Sequence, residues 1–211
     1  MFNVYLFGDT FSVVEYCENG ETMSEMRYFI AVPIPNLIKD QLSEMCGQLK
    51  EELLFRKWVY AEDYHITLTY LGACSIEKIE QVKQRLSHVV QSQETFYMAI
   101  GSLGYFGQIN SPRILWADVD GDRANLTQLQ HEVEKGMAEI GFHIENRSYR
   151  PHVTLAKNFK GIVFNSEQLA TQGFRETNIP TWEVDSVVLY RTELERKPMY
   201  MSESVFPFGT K

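Results

Sequence analysis

An α+β fold of two like halves facing a central cleft is the architecture that this 211-residue sequence predicts. Three observations carry that reading. The pattern His65-Ile66-Thr67-Leu68 returns 87 positions later as His152-Val153-Thr154-Leu155. The segments upstream of each copy follow the same order at the same offset, an apolar strand and then an amphipathic helix. No low-complexity linker separates the copies, so the halves pack together rather than forming independent domains.

Residues 1–26 stand apart from the repeat. Val4-Tyr5-Leu6-Phe7 and Phe11-Ser12-Val13-Val14-Glu15-Tyr16 flank Gly8-Asp9-Thr10 and read as a β-hairpin. Met23 or Met26 would also serve as a start for the core, which is expected over 27–211 as one bilobal domain. Tyr28-Phe29-Ile30-Ala31-Val32 reads as a strand, and Ile38, Leu42, Met45, Leu49 and Leu53 then recur at helical spacing. A polar loop leads into the strand that begins at His65. Ser75 is a plausible cap for the helix marked by Ile76, Ile79, Val82, Leu86 and Val89. Residues 95–104 form a further strand, and Gly104, Gly107 and Pro112 punctuate a loop after it. The second unit follows: a strand at Leu115-Trp116-Ala117-Asp118-Val119, a helix bearing Leu126, Leu129, Val133, Met137 and Ile140, and the strand of His152. Residues 182–191 and the region around 199–206 read as the last strands. Antiparallel strands are expected to line the cleft, with helices outside.

Composition narrows the classes. Hydrophobic residues at 44% and aromatics at 13% are too many for general disorder. No segment approaches the roughly 20 apolar residues of a membrane span, and the N-terminus lacks the basic and apolar regions of a signal peptide. Cys17, Cys46 and Cys74 show no metal-ligand spacing and cannot all pair, so reduced thiols in a cytoplasmic protein are expected. A net charge of −8 argues against a protein that coats long nucleic acid through its phosphates. An RNA terminus held by local positive charge, or a small nucleotide, fits that balance. A monomer is the expected state.

Side chains alternate along a strand, so His65 and Thr67 share one face and leave Ile66 and Leu68 for the core. His152 and Thr154 stand likewise against Val153 and Leu155. Two imidazoles and two hydroxyls on facing strands suit acid–base chemistry on a phosphodiester. Hydrolysis of a strained 2′,3′-cyclic phosphate needs one group to take a proton from water and another to give one to the departing ribose oxygen. Histidine serves both roles, each contributing about 10²–10⁴-fold. Threonine hydroxyls can donate to the non-bridging oxygens. The scheme needs neither metal nor cofactor. A single copy of the motif would ordinarily be a structural histidine on a strand; a second copy behind matching elements favours catalysis. A metal site is disfavoured because no carboxylate or cysteine set accompanies the histidines.

These residues resemble the two-histidine phosphoesterase superfamily, and within it the bacterial and archaeal RNA 2′,3′-cyclic phosphodiesterases, also called 2′-5′ RNA ligases. The resemblance runs from about Arg27 to the C-terminus. It includes Arg27-Tyr28-Phe29-Ile30-Ala31-Val32-Pro33, Pro112-Arg113-Ile114-Leu115-Trp116-Ala117 and Tyr149-Arg150-Pro151-His152-Val153-Thr154-Leu155-Ala156-Lys157. It implies the bilobal two-histidine phosphoesterase fold. It also implies that His65 is the proton donor and His152 the proton acceptor, with water attack in line with the 3′ oxygen leaving a 2′-phosphomonoester. A ribose hydroxyl attacking in place of water would join 2′-5′ ends. The chain departs from the family pattern at Lys157, where arginine is common, and at Pro198, where glycine is expected. Residues 1–26 have no counterpart in it.

Other residues carry weaker signals. Arg150, two positions before His152, falls on the same face and is a candidate phosphate ligand, with a surface ion pair as its plain alternative. Lys157 lies five positions from His152, on the opposite face of a regular strand. Arg113, Arg191, Arg196 and Lys197 are expected to be solvated charges before they are an RNA path. Tyr105, Phe106, Tyr190 and Tyr200 are candidates to stack a base, whereas Phe29 and Trp116 fit core packing better. His88, His131 and His143 lack a partnered threonine and read as structural or solvent-facing.

The leading expectation is therefore hydrolysis of RNA 2′,3′-cyclic phosphate ends. One rival keeps the apparatus but acts on 2′-5′ oligonucleotides or a cyclic ADP-ribose phosphate. Another is a nucleotide-binding module without turnover.

Overall fold

Each predicted strand–helix–strand unit forms, and each places its motif strand beside its own leading strand. The computed structural model describes residues 26–143, 148–164, 166, 169 and 181–209. The expected hairpin within residues 1–26 lies outside the described residues, apart from Met26.

In the first unit, β1 (Arg27–Pro33) is followed by helix α1 (Asn36–Glu52), a short strand β2 (Phe55–Trp58), a 3₁₀ turn (Ala61–Asp63) and β3 (His65–Ala73). Helix α2 (Ile76–Val90) and the long strand β4 (Phe96–Gln108) lead to the second unit, β5 (Ser111–Gly121), α3 (Arg123–Glu139) and β6 (His152–Phe159). Strands β7 (Trp182–Val184), β8 (Ser186–Thr192) and β9 (Tyr200–Pro207) complete the order. Among the described residues all pairings are antiparallel, in a four-stranded sheet β3-β1-β8-β9 and a five-stranded sheet β2-β6-β5-β4-β7.

The helices follow their apolar spacing. Ile38, Leu42, Cys46 and Leu49 of α1 and Leu126, Leu129, Val133 and Met137 of α3 are buried. The Ser75 hydroxyl accepts from the Lys78 amide at 3.3 Å and caps α2. From the motif strands, Ile66, Leu68, Val153 and Leu155 enter the core. Each such side chain contributes about 1.5–3 kcal/mol by leaving water, and together they anchor the opposite faces of β3 and β6.

Three local expectations change. Gly104 and Gly107 lie within β4, and the anticipated loop shrinks to a tight connection between Gln108 and Ser111. Gly104 stands opposite Trp116, where a Cβ would come within 2.3 Å of the indole ring. Gly107, at φ +110°, marks a register shift in the same pair. The stretch 182–191 is two strands: β7 pairs with β4, β8 pairs with β1, and the chain crosses between sheets at Asp185. Strand β2 has only four residues and no clear alternation to announce it.

Candidate active site

The two histidines are oriented by the same device. His65 Nδ1 lies 2.7 Å from the carbonyl oxygen of Asp63, and His152 Nδ1 lies 2.7 Å from that of Arg150. A carbonyl can only accept, so Nδ1 carries the hydrogen in both rings and Nε2 is the basic nitrogen of each neutral imidazole. The acceptor is the residue two positions earlier in each copy, where the chain enters the strand. His65 Nε2 is 3.1 Å from the Thr67 hydroxyl, the partner that motif spacing anticipates.

Both motif strands carry a bulge at the same place. In β3, Thr67 pairs with Ala31 and Thr69 with Ile30, leaving Leu68 without an opposite residue. In β6, Thr154 pairs with Trp116 and Ala156 with Leu115, leaving Leu155 without one. Such an extra residue re-aims the side chains beyond it. Leu155 and Ala156 are consecutively buried, and Lys157 returns to the partly exposed face of His152 and Thr154. The expectation that Lys157 lies on the far face is thereby corrected, because that parity argument assumed a regular strand. At the equivalent position of β3, the Tyr70 hydroxyl lies 3.4 Å from that of Thr67.

The two copies meet. The Tyr149 hydroxyl donates to the Thr67 carbonyl at 3.0 Å, tying the approach to β6 onto β3. Thr67 and His152 line one cavity of about 490 Å³, with Tyr70, Phe106, Arg113, Gln130, Glu134 and Arg150 among its walls. Arg150 is exposed at that cavity, and its carbonyl is what fixes His152. Thr154 is partly buried on the same strand as His152.

Aromatic rings surround each imidazole. Phe29 packs 4.7 Å from His65 and Tyr200 stands edge-on at 5.1 Å, with Tyr190 at 5.9 Å. Phe106 stands edge-on to His152 at 5.0 Å and Trp116 lies at 6.3 Å. Burial pushes the His65 pKa from its ordinary 6.5 down to about 4, and the charges of Lys157, Lys39 and His152 act in the same direction. The hydrogen bond to the Asp63 carbonyl opposes them. His65 is therefore neutral near pH 7. Burial, followed by repulsion from Lys57, lowers the Lys157 pKa, while Asp63 raises it.

The secondary candidates divide. Phe29 is core, but its ring also packs on His65. Tyr105 packs edge-on against Phe164. Arg191 is half-buried and bridged by Glu193 and Glu203. Arg113 lines the large cavity, whereas Arg196 and Lys197 line a second, smaller one with Lys157. His88, His131 and His143 are exposed, the first two on helices. Among the described residues, no group of three His, Cys, Asp or Glu side chains is arranged to hold a metal ion. Motif reading misses Asp63 and Tyr149. Asp63 acts through its carbonyl and through a buried carboxylate that accepts from the Met199 and Tyr200 amides at 2.9–3.1 Å. No local pattern announces the Asp63 carboxylate or the Tyr149 hydroxyl, because their partners lie far away in sequence.

The model of the 2′-5′ RNA ligase superfamily matches residues 38–196. A Geobacillus stearothermophilus protein named RNA 2′,3′-cyclic phosphodiesterase is 34% identical over 186 residues, which is 88% of this chain and 58% of that protein. The chain thus spans little more than half of that relative. Proteins of the same name from Bacillus subtilis (strain 168) and Thermotoga maritima are 29% and 32% identical, over 86% and 63% of this chain and 94% and 70% of theirs. Among solved structures, a Thermus thermophilus protein superposes with a TM-score of 0.70 at 22% identity, covering 88% of this chain and all of its own. Escherichia coli LigT, solved in complex with 3′-AMP, gives 0.67 at 21% identity over 88% of this chain and 99% of its own. At that identity the superpositions establish the shared fold.

Proposed function

Because the chain belongs to the 2′-5′ RNA ligase superfamily, we propose that it hydrolyses RNA ends carrying a 2′,3′-cyclic phosphate to 2′-phosphomonoesters. The observation that carries this reading is the pair of imidazoles, each oriented through Nδ1 by the carbonyl two residues earlier, so that Nε2 is the basic nitrogen of each neutral ring. The relatives named RNA 2′,3′-cyclic phosphodiesterase support the substrate class.

In the proposed reaction, His152 Nε2 takes a proton from water as the water oxygen bonds to phosphorus. The bond from phosphorus to O3′ breaks, and His65 Nε2–H gives its proton to that oxygen. The phosphate stays on O2′. Thr67 and Thr154 donate to the non-bridging oxygens as charge gathers there, and Arg150 steadies the incoming phosphate at the cavity wall. His65 is neutral near pH 7, so the donor role requires the phosphate anion to bring the proton on. An opposite charge close to an imidazole favours its charged form and offsets the repulsion from Lys157 and Lys39.

Both motif strands come from one chain, so a monomer suffices. The buried thiols of Cys46 and Cys74 suit a reducing compartment such as the cytoplasm. The 490 Å³ cavity at His152 also favours a second reading. Its volume lies in the range for whole small-molecule ligands, roughly 300–1,000 Å³. A nucleoside 5′-hydroxyl seated there in place of water would give 2′-5′ joining, and the reverse step would cleave 2′-5′ links.

Incubation with an oligonucleotide ending in 2′,3′-cyclic phosphate, followed by phosphorus NMR, tests the proposal. A 2′-monophosphate is expected. A 3′-monophosphate would overturn the assignment of the leaving oxygen, and an unchanged cyclic phosphate would overturn the reaction itself.

A further inference from the structure

We propose that a small basic cavity at the His65 end of the site holds the phosphodiester preceding the terminal nucleotide, so that RNA ends are preferred over free 2′,3′-cyclic mononucleotides. This rests on the hydrolase reading above and specifies its substrate class.

The cavity has a volume of about 60 Å³, and Lys57, Lys157, Arg196 and Lys197 line it together with Asp63 and Tyr200. Four cations therefore converge, from β2, from β6 and from the β8–β9 connection, in a chain whose net charge is −8. Among the described residues, Asp63 is the one carboxylate lining the cavity. It is buried, and its two oxygens accept from the Met199 and Tyr200 amides, which hold the β8–β9 connection in place. Arg196 shares its charge with Glu193 at 3.2 Å. The Lys57 ammonium lies 3.6 Å from the Met199 sulfur, a weak acceptor that leaves its charge in place. The balance is positive, and an anion is the occupant it suits.

Size and position select which anion. A volume of about 60 Å³ is far below that of nucleoside-sized pockets and fits a single phosphate group. The cavity adjoins His65 through shared residues: Tyr200 stands edge-on to the imidazole, and the Asp63 carbonyl orients it. His65 is assigned to the leaving O3′, so the terminal ribose lies at this end, while water enters at His152. The ribose continues through its 5′ oxygen to the preceding phosphate, one nucleotide upstream of the reacting one. The basic cavity lies on that side, and the large cavity lies at the other. Contacts to a phosphate carry no base information, so the preference is for an RNA end and not for a sequence.

The test compares cytidine 2′,3′-cyclic phosphate with its 5′-phosphorylated form, whose 5′-phosphate stands in for the upstream phosphodiester. In the wild type, kcat/KM for the phosphorylated compound is expected to be higher by about tenfold at low salt, the scale of one charge-assisted hydrogen bond. The advantage should shrink as salt screens it. Lys57 and Lys197 are exposed, so Lys57→Ala/Lys197→Ala and the milder Lys57→Gln/Lys197→Gln should both fold, as circular dichroism will show. Both should lose the advantage while hydrolysing the unphosphorylated compound as the wild type does. No advantage in the wild type, or one that survives both double substitutions, would overturn the proposal. If the wild type turns over neither compound, the hydrolase reading fails, and calorimetric binding of the same two compounds to the same proteins decides the cavity's role by the same comparison.

Discussion

Acidification should expose the cost of charging His65. Its pKa is about 4 in the folded protein against 6.5 ordinarily, so between those values the unfolded chain binds a proton that the folded protein does not. Stability contributed by the neutral imidazole is fully present above pH 6.5. It declines as pH falls and is lost once pH passes below the folded value. The linkage relation gives a loss of about 2 kcal/mol at pH 5 and about 3 kcal/mol at pH 4. The ring is partly exposed, so solvent screening should reduce these to roughly 1–2 kcal/mol at pH 5. The variant His65→Gln keeps polarity and comparable size but cannot titrate. Urea unfolding of both proteins at pH 7.5, 6, 5 and 4 separates this residue from every other titrating group. The gap between them should close, or reverse in favour of the variant, by that amount on acidification. A gap that stays constant across the series would refute the argument that burial among Phe29, Tyr190 and Tyr200 keeps His65 neutral.

Other perturbations test single contacts. Lys157→Met should raise the His65 pKa, because the lysine charge depresses it, and NMR titration of the imidazole reads the shift directly; a downward shift would contradict the re-aiming of Lys157 by the bulge. Tyr149→Phe deletes the hydroxyl that reaches the Thr67 carbonyl and should cost about 1 kcal/mol in urea unfolding, with no effect expected only if the two motif strands are not joined there. Asp63→Asn weakens the hold on the Met199 and Tyr200 amides and should cost about 1.5–3 kcal/mol, measured in the same way. Gly104→Ala drives a methyl group into the Trp116 ring and should lower stability by about 1–3 kcal/mol, read as a fall in Tm.

Local repetition is the legible part of this chain. The apolar spacing of α1, α2 and α3, the Ser75 cap and the His/Thr face all depend on residues within one or two turns of each other. Legibility ends wherever a distant neighbour decides the outcome. Gly104 and Gly107 look like loop residues until Trp116, on the facing strand, claims the space above Gly104. The run 182–191 looks like one strand because nothing local shows that Asp185 marks a change of sheet. Alternation alone puts Lys157 on the wrong face because a bulge is a property of two strands in register, and the sequence displays one strand at a time. Asp63 and Tyr149 act on residues 136 and 82 positions away, respectively.

The matched bulges at Leu68 and Leu155 bear on how an even scaffold can host an uneven reaction. A site with exact two-fold symmetry reads the same from either end and would accept its substrate in two equivalent poses, only one of which has the donor and acceptor in order. Because each bulge turns out the third residue after the motif threonine, the fold repeats that position too and lets it differ: a tyrosine beside Thr67 and a lysine beyond Thr154. The backbone is a palindrome, and Tyr70 and Lys157 are letters that break it, so that under the proposed reaction a ribose phosphate arriving backwards would meet a phenol where the other pose offers a cation.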